Sequence, residues 1–317
     1  MSPKLIRSAD ASPLMWTEKY RPKSLDEIRG NEPRIEALKE LSKNPSSMPH
    51  LLLSGSPGTG KTTAALCFAK TIGATVEEMN ASDERGIAIV QGKVKEYASS
   101  VPLDGNQYKI LIMDEADHLT KDAQPALRRM METTARSCRF IMIANEIDGI
   151  IKPIRDRCSQ LYFDPIPDED IMFTLGAILE AEHHEMDEEA GQIITRRAMG
   201  SLRQAINSLQ IVCDGTQGPI STDRVKQIMQ ASEIDGVSDI ISKCISGDFT
   251  SAKIDYVTHF KGYAGAQDFI EMVTRDLIQG KLRDHEKLIA KNLSFLQMGA
   301  GRNDYLQVLG FLARLSE

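Results

Sequence analysis

The chain has 317 residues and lacks any apolar run approaching the length of a membrane span. No apolar stretch follows a basic start at the N-terminus, so no secretory leader is expected and the chain reads as cytoplasmic. Cysteine is scarce. Cys67, Cys138, Cys158, Cys213 and Cys244 make no C-x-x-C pair, and no histidine stands at ligand spacing, which sets aside the common zinc patterns. These thiols read as reduced and mostly buried. The adjacent His183 and His184 read as a solvated face. Internal repeats and low-complexity tracts are also absent. So is the basic excess of a typical nucleic-acid binder, since the net charge is −7. That charge is uneven. Residues 1–165 sum to +1 and residues 166–317 to −8, so nucleic-acid binding is left to a local patch on the first half.

What is present is an alternation of strands and helices. Length alone predicts two or three domains. Residues 31–43 have helical spacing at Ile35, Leu38 and Leu41. Residues 50–54 form a short apolar strand, 61–72 a helix and 74–79 a second strand. Residues 109–114 are apolar on both faces, as in a buried parallel sheet. A helix over 122–133 and strands over 139–144 and 160–163 complete an α/β pattern. The run Asp164-Pro165-Ile166-Pro167 then punctuates the chain. Beyond it every stretch is helical in period: 168–183, 187–199, 202–212, 221–231, 235–246, 249–260, 266–280, 284–297 and 302–315. The expected division is an α/β domain over 1–166, a small helical domain over 167–230 and an all-α domain over 231–317.

The first apolar strand runs into Gly55-Ser56-Pro57-Gly58-Thr59-Gly60-Lys61-Thr62, the spacing G-x-x-x-x-G-K-[ST]. Glycines at these places let backbone N–H groups curl around phosphates. Lys61 reaches the β- and γ-phosphates, and the Thr62 hydroxyl holds Mg²⁺. The helix that follows adds the positive end of its dipole. The strand ending in Asp114-Glu115-Ala116-Asp117 supplies the other half of an ATP-hydrolysing site. Asp114 stands near Mg²⁺, and Glu115 polarises the attacking water. Asn145 ends the next buried strand and faces the same crevice, since ligands of such sheets bind beyond the carboxyl ends of the strands.

Four further segments carry a resemblance. Trp16-Thr17-Glu18-Lys19-Tyr20-Arg21-Pro22, the box from Glu78 to Ile87, Ala126-Leu127-Arg128-Arg129-Met130-Met131-Glu132 and the run from Gly200 to Asn207 resemble the replication factor C small subunits, clamp loaders of the AAA+ ATPase class. The resemblance spans nearly the whole chain and is densest from Trp16 to Leu209. It implies a P-loop (AAA+) domain with a parallel sheet, a helical lid and an all-α collar. It places Tyr20, Arg21, Pro22 and Ile28 at the adenine, and Thr63 beside the phosphates. Asn145 becomes the first sensor of the γ-phosphate and Arg203 the second, reaching in from the lid. Arg157 matches an arginine finger that acts on a neighbour's ATP. Asp156 stands where the family has serine, and is expected to pair with Arg155 or Arg157 and weaken the finger.

The implied partners are the large and small subunits of a loader, five in all, with a sliding clamp and primer–template DNA. Arg85 and Lys93 on the helix expected over 86–99, and Arg128 and Arg129 on the central helix, are the expected DNA contacts. Tyr97, Val101, Pro102 and Leu103 are expected at the clamp, with core packing an equal alternative for some of them. Apolar Ile289, Leu293, Leu296, Leu306, Leu309 and Leu312 read as the collar. Two alternatives stand beside this reading. One is a structural subunit that binds ATP and hydrolyses it weakly or not at all. The other is a hexameric AAA+ DNA motor such as a branch-migration helicase.

Overall fold

The computed structural model describes residues 15–83, 86–100, 108–214, 218–229, 236–260 and 304–316, with the short stretches 269, 272–274, 276–277, 288–289 and 291–292. The chain divides into two compact units, Met1–Ser221 and Thr222–Glu317.

The first unit is built on five strands: β1 His50–Gly55, β2 Thr75–Asn80, β3 Lys109–Asp114, β4 Arg139–Ala144 and β5 Cys158–Phe163. They lie in the order β2-β3-β4-β1-β5, and every neighbouring pair is parallel. Parallel strands need crossovers, and helices supply them. Between β1 and β2 runs α3, Lys61–Thr71. It is preceded in the chain by α1, Trp16–Lys19, and α2, Glu32–Lys43. Between β2 and β3 lies α4, a continuous helix of Ile87–Ile89, a π-turn at Val90–Val94, and Lys95–Ser99. Between β3 and β4 lies α5, Ala123–Thr133, and before β5 the short α6, Lys152–Arg155. The strand expected to begin at Gln160 begins at Cys158, because its first residues pair with His50 and Leu51 of β1.

The apolar runs of the inner strands follow from burial on both faces. Leu51 and Leu53 point to one side, where Ala64, Ala65 and Phe68 of α3 pack with Ile112, Ile141 and Ile143. Leu52 points to the other, with Leu111, Met113, Phe140 and Met142 against Val94, Leu127 and Met131. Strand period two thus sorts one sequence run into two cores. Each fully buried Leu, Ile, Val, Phe or Met among them contributes roughly 1.5–3 kcal/mol, so both helical layers are held firmly to the sheet. β2, at one edge, carries the exposed Glu77 and Glu78, charges that discourage pairing with another sheet.

Three helices complete the first unit: α7 Asp168–Ala181, α8 Glu188–Ala198 and α9 Leu202–Cys213. Ser201 caps α9 by accepting from the Gln204 N–H at 3.3 Å. The second unit holds α10 Thr222–Ile228, α11 Gly236–Ile245, α12 Phe249–Phe260 and α13 Asp304–Leu315. Its core joins Ile240, Ile241, Tyr256, Phe269, Phe311 and Leu312. Ile289 and Leu312 are buried in that core, and Leu309 packs against it, so these three supply packing within the unit. Leu293, Leu296 and the Leu306 side chain lie outside the described residues, as does most of 266–280 and 284–297. Among the described residues no helix is long and apolar enough to cross a membrane.

Candidate active site

The carboxyl ends of β1, β3 and β4 bring the predicted chemistry together. β1 ends at Gly55, and α3 begins at Lys61 after Gly60 in a left-handed conformation. The loop between them wraps around the Lys61 ammonium. Lys61 Nζ donates to the carbonyls of Gly55 at 2.7 Å and Ser56 at 2.8 Å, and to Asn145 Oδ1 at 3.1 Å. Thr59 Oγ1 closes the loop by donating to the Ser56 carbonyl at 2.9 Å. Burial pushes the Lys61 pKa down to about 8, helped by the nearby Arg203 and opposed by Asp114 and Asp117.

Thr62 and Asp114 meet directly, the hydroxyl donating to Oδ2 at 2.8 Å. The other oxygen, Oδ1, accepts the Glu115 N–H at 2.8 Å. Glu115 itself has φ +51°, an unusual value for a residue with a side chain. It opens a 3₁₀ turn, Ala116–His118, that ends the strand abruptly. A strained conformation at the residue expected to polarise water is in keeping with a functional site.

The helices after Pro167 close over the loop from the opposite side. The Leu202 N–H donates to the Gly58 carbonyl at 3.1 Å. Gly58 has φ +78°, and a Cβ there would lie 2.1 Å from Ser201 Oγ and 3.3 Å from Arg203 Cβ. Glycine is therefore demanded by the approach of α9 as well as by the turn. Arg203 is exposed on the first turn of α9, beside the loop.

The N-terminal segment straddles the same two parts. The Arg21 Nε–H reaches Thr63 Oγ1 at 3.3 Å, and the Pro22 carbonyl accepts from Cys67 Sγ at 3.3 Å, both on α3. Ile28 packs on the core beneath α3. Tyr20, however, turns its hydroxyl to Glu182 Oε1 at 2.6 Å, where Lys19 Nζ also binds at 2.6 Å. The Trp16 N–H donates to Gln210 Oε1 at 2.9 Å. Glu182 and Gln210, which no motif singles out, make this signature a strap between α3 and the helical layer.

The finger position departs from expectation. Arg155 pairs with Asp148 at 3.1 Å, and Arg157 pairs with Glu132 at 2.5 Å while donating to the Pro153 carbonyl at 2.6 Å. Among the described residues Asp156 pairs with neither arginine, so the expected quenching by its carboxylate is not found. Its neighbours have nearer acids already in place. Arg128 shares the same Glu132 carboxylate at 3.1 Å. Arg128 first, and then Arg157, hold that carboxyl below its ordinary range.

Of the expected DNA contacts, Arg129 and Lys93 are exposed, and Arg85 lies outside the described residues. A cleft of about 620 Å³ between α4 and α5 is lined by Ile87, Gln91, Lys95 and Arg129 among others. Of the expected clamp contacts, Val101, Pro102 and Leu103 lie outside the described residues. Tyr97 is partly buried against the core, as the core-packing alternative has it. It packs against the sheet with its hydroxyl between the carbonyls of Thr75 at 2.9 Å and Ile110 at 3.2 Å, because β2 and β3 pass under that turn of α4.

The chain matches the ATPase family associated with various cellular activities (AAA) over residues 51–165, from β1 to the end of the sheet. It is 39% identical to the replication factor C small subunit of Staphylothermus marinus over 96% of this chain and 94% of that one. The corresponding protein of Archaeoglobus fulgidus is 37% identical, over 95% of this chain and 97% of its own. Among solved structures, the Thermotoga maritima RuvB Holliday junction branch migration motor superposes with a TM-score of 0.58. That match covers 76% of this chain and 88% of the other at 19% identity, a likeness of fold alone. A P-loop and an acidic strand end joined through Thr62 and Asp114, with relatedness along nearly the full length, place this chain in the replication factor C small subunit family of AAA ATPases.

Proposed function

We propose that this chain is an ATP-hydrolysing subunit of a clamp loader, which couples ATP binding to placing a sliding clamp on primer–template DNA. The observation that carries the reading is the single hydrogen-bonded set at the strand ends: Lys61 to Asn145, and Thr62 to Asp114. The same set weighs against both alternatives. A purely structural subunit has no need of a complete set of hydrolytic side chains, and the likeness to a hexameric motor is one of fold.

In this reading Lys61 exchanges the carbonyls of Gly55 and Ser56 for phosphate oxygens. Lys61 and Arg203 are like charges held near one another, and an anionic γ-phosphate between them relieves the repulsion. Arg203 rides on α9, so its contact makes closure of the helical layer depend on that phosphate, which is the differential contact a conformational switch requires. Glu115 takes the proton of the attacking water and Asn145 orients it. Thr62 and Asp114 offer a hydroxyl and a carboxylate, hard oxygen donors that suit Mg²⁺. Bound there, Mg²⁺ would neutralise charge on the β- and γ-oxygens. The finger is supplied in trans by a neighbour's Arg157. The three-domain division, with 167–230 as lid and 231–317 as collar, belongs to the same reading. So does a ring of five subunits.

The test is the ATPase rate of the assembled complex with clamp and primed DNA. Five subunits with clamp-dependent stimulation support the loader. A hexamer indifferent to the clamp overturns it.

A further inference from the structure

The geometry points to Asp117 as the positioning residue for Asn145. The inference rests on the reading of Asn145 as the group that orients the attacking water. Asp117 is the last residue of the run Asp114-Glu115-Ala116-Asp117, and neither half of the hydrolytic set uses it. It stands inside the 3₁₀ turn that Glu115 opens, with the His118 N–H bonded back to the Glu115 carbonyl at 2.9 Å. From there its Oδ2 accepts two backbone N–H groups beyond the end of β4, those of Asn145 at 3.2 Å and Glu146 at 3.0 Å. One rigid turn therefore sets both the residue that takes the proton and the backbone of the residue that orients the water. Asn145 Oδ1 in turn meets Lys61. The chain of contacts runs from the β3 turn, through Asp117, to the end of β4 and on to the P-loop.

An independent feature marks the same spot. Gly149 ends the turn Ile147–Gly149 and packs on Asp117 so closely that a Cβ would lie 2.7 Å from Asp117 Cβ and 3.0 Å from its carbonyl oxygen. Asp117 Oδ1 is buried without a protein partner among the described residues. The two oxygens therefore divide, with Oδ2 alone bonded to the backbone beyond β4.

The experiment measures turnover by the complex assembled with the full chain, and ATP affinity of the chain by fluorescent-nucleotide binding. Asp117→Ala is expected to lower kcat about tenfold through misplacement of Asn145, with ATP affinity nearly unchanged. Asp117→Asn keeps an acceptor toward both N–H groups and is expected to retain most of the turnover. Asn145→Ala should lower turnover, and adding Asp117→Ala to it should lower it no further. Amide hydrogen exchange at Asn145 and Glu146 should quicken in Asp117→Ala alone. Additive losses in the double variant, or Asp117→Asn as impaired as a chain bearing Asp117→Ala, overturn the assignment while leaving Asn145 its role. Full turnover in Asn145→Ala overturns that role and the assignment with it. If Asp117→Ala does not fold, Gly149→Ala, whose Cβ would lie 2.7 Å from Asp117 Cβ, displaces the same side chain and is expected to lower kcat with ATP affinity nearly unchanged; an unchanged kcat overturns the assignment.

Discussion

The Glu132 carboxylate, at the C-terminal end of α5, binds the Arg157 guanidinium at 2.5 Å and the Arg128 guanidinium at 3.1 Å through the same oxygen. The finger candidate is thus tied within its own chain to the helix that carries the expected DNA contacts. Both arginines are partly exposed, so the pairing orients Arg157 more than it stabilises the fold. Arg157→Ala is expected to leave ATP binding by the chain intact and to lower stimulated turnover of the complex by roughly 10³-fold. Glu132→Ala, which leaves Arg157 only the Pro153 carbonyl, should cost several-fold in the same assay. Equal rates for wild type and Arg157→Ala would remove the finger.

ATP binding should weaken in mild alkali. Lys61 titrates near pH 8 because it is buried, and only its protonated form attracts phosphate. As pH rises through that value each binding event must take up a proton. The expected fall in affinity is about tenfold between about pH 7 and about pH 9, measured by isothermal titration. Lys61→Arg, always charged, should abolish most of the slope even if its affinity is lower.

Arg129 is exposed beside the α4–α5 cleft and has no ion-pair partner among the described residues, whereas Arg128 is already engaged by Glu132. Affinity of the complex for primer–template DNA should fall steeply with salt. Arg129→Ala should reduce the slope of log affinity against log salt by about one, equally for unrelated sequences. An unchanged slope would take Arg129 off the DNA path.

Stability should depend on His50. This buried ring accepts the Phe140 N–H on Nδ1 at 3.0 Å and places Nε2 3.3 Å from the Met131 carbonyl. Burial first, and the Arg139 charge second, push its pKa down to about 4 from 6.5. The unfolded chain takes up the proton first as pH falls. Full stability therefore holds above about pH 6.5, and about 3 kcal/mol is lost by about pH 4. Urea unfolding at stepped pH measures the loss, and His50→Gln should flatten it in that window.

The strands of the first unit were legible because each apolar run is bounded and buried on two faces, and Gly55–Thr62 because few other arrangements of glycine, lysine and threonine serve a phosphate. Asp114, Glu115 and Asn145 stood out as candidates because each lies at or just past the end of an apolar strand. Glu182 and Gln210 did not, being ordinary polar residues whose partners lie far away in the chain. Asp117 and Glu132 stand inside recognisable motifs, but the partners they take are set by packing and not by those motifs. Tyr97 was left open between clamp and core for the same reason, since an aromatic side chain near a helix end looks alike whether it faces a partner or its own sheet.

By itself, the sequence determined the order of elements, the phosphate loop and the carboxylates that answer it, because these are set by periodicity and by the chemistry of residues close in the chain. Only the tertiary structure decided which side of the sheet each residue faces, that α9 approaches Gly58, and that Arg157 pairs with Glu132 and not with Asp156. Those outcomes depend on distances between residues brought together by packing, and such distances exist only once the chain has folded.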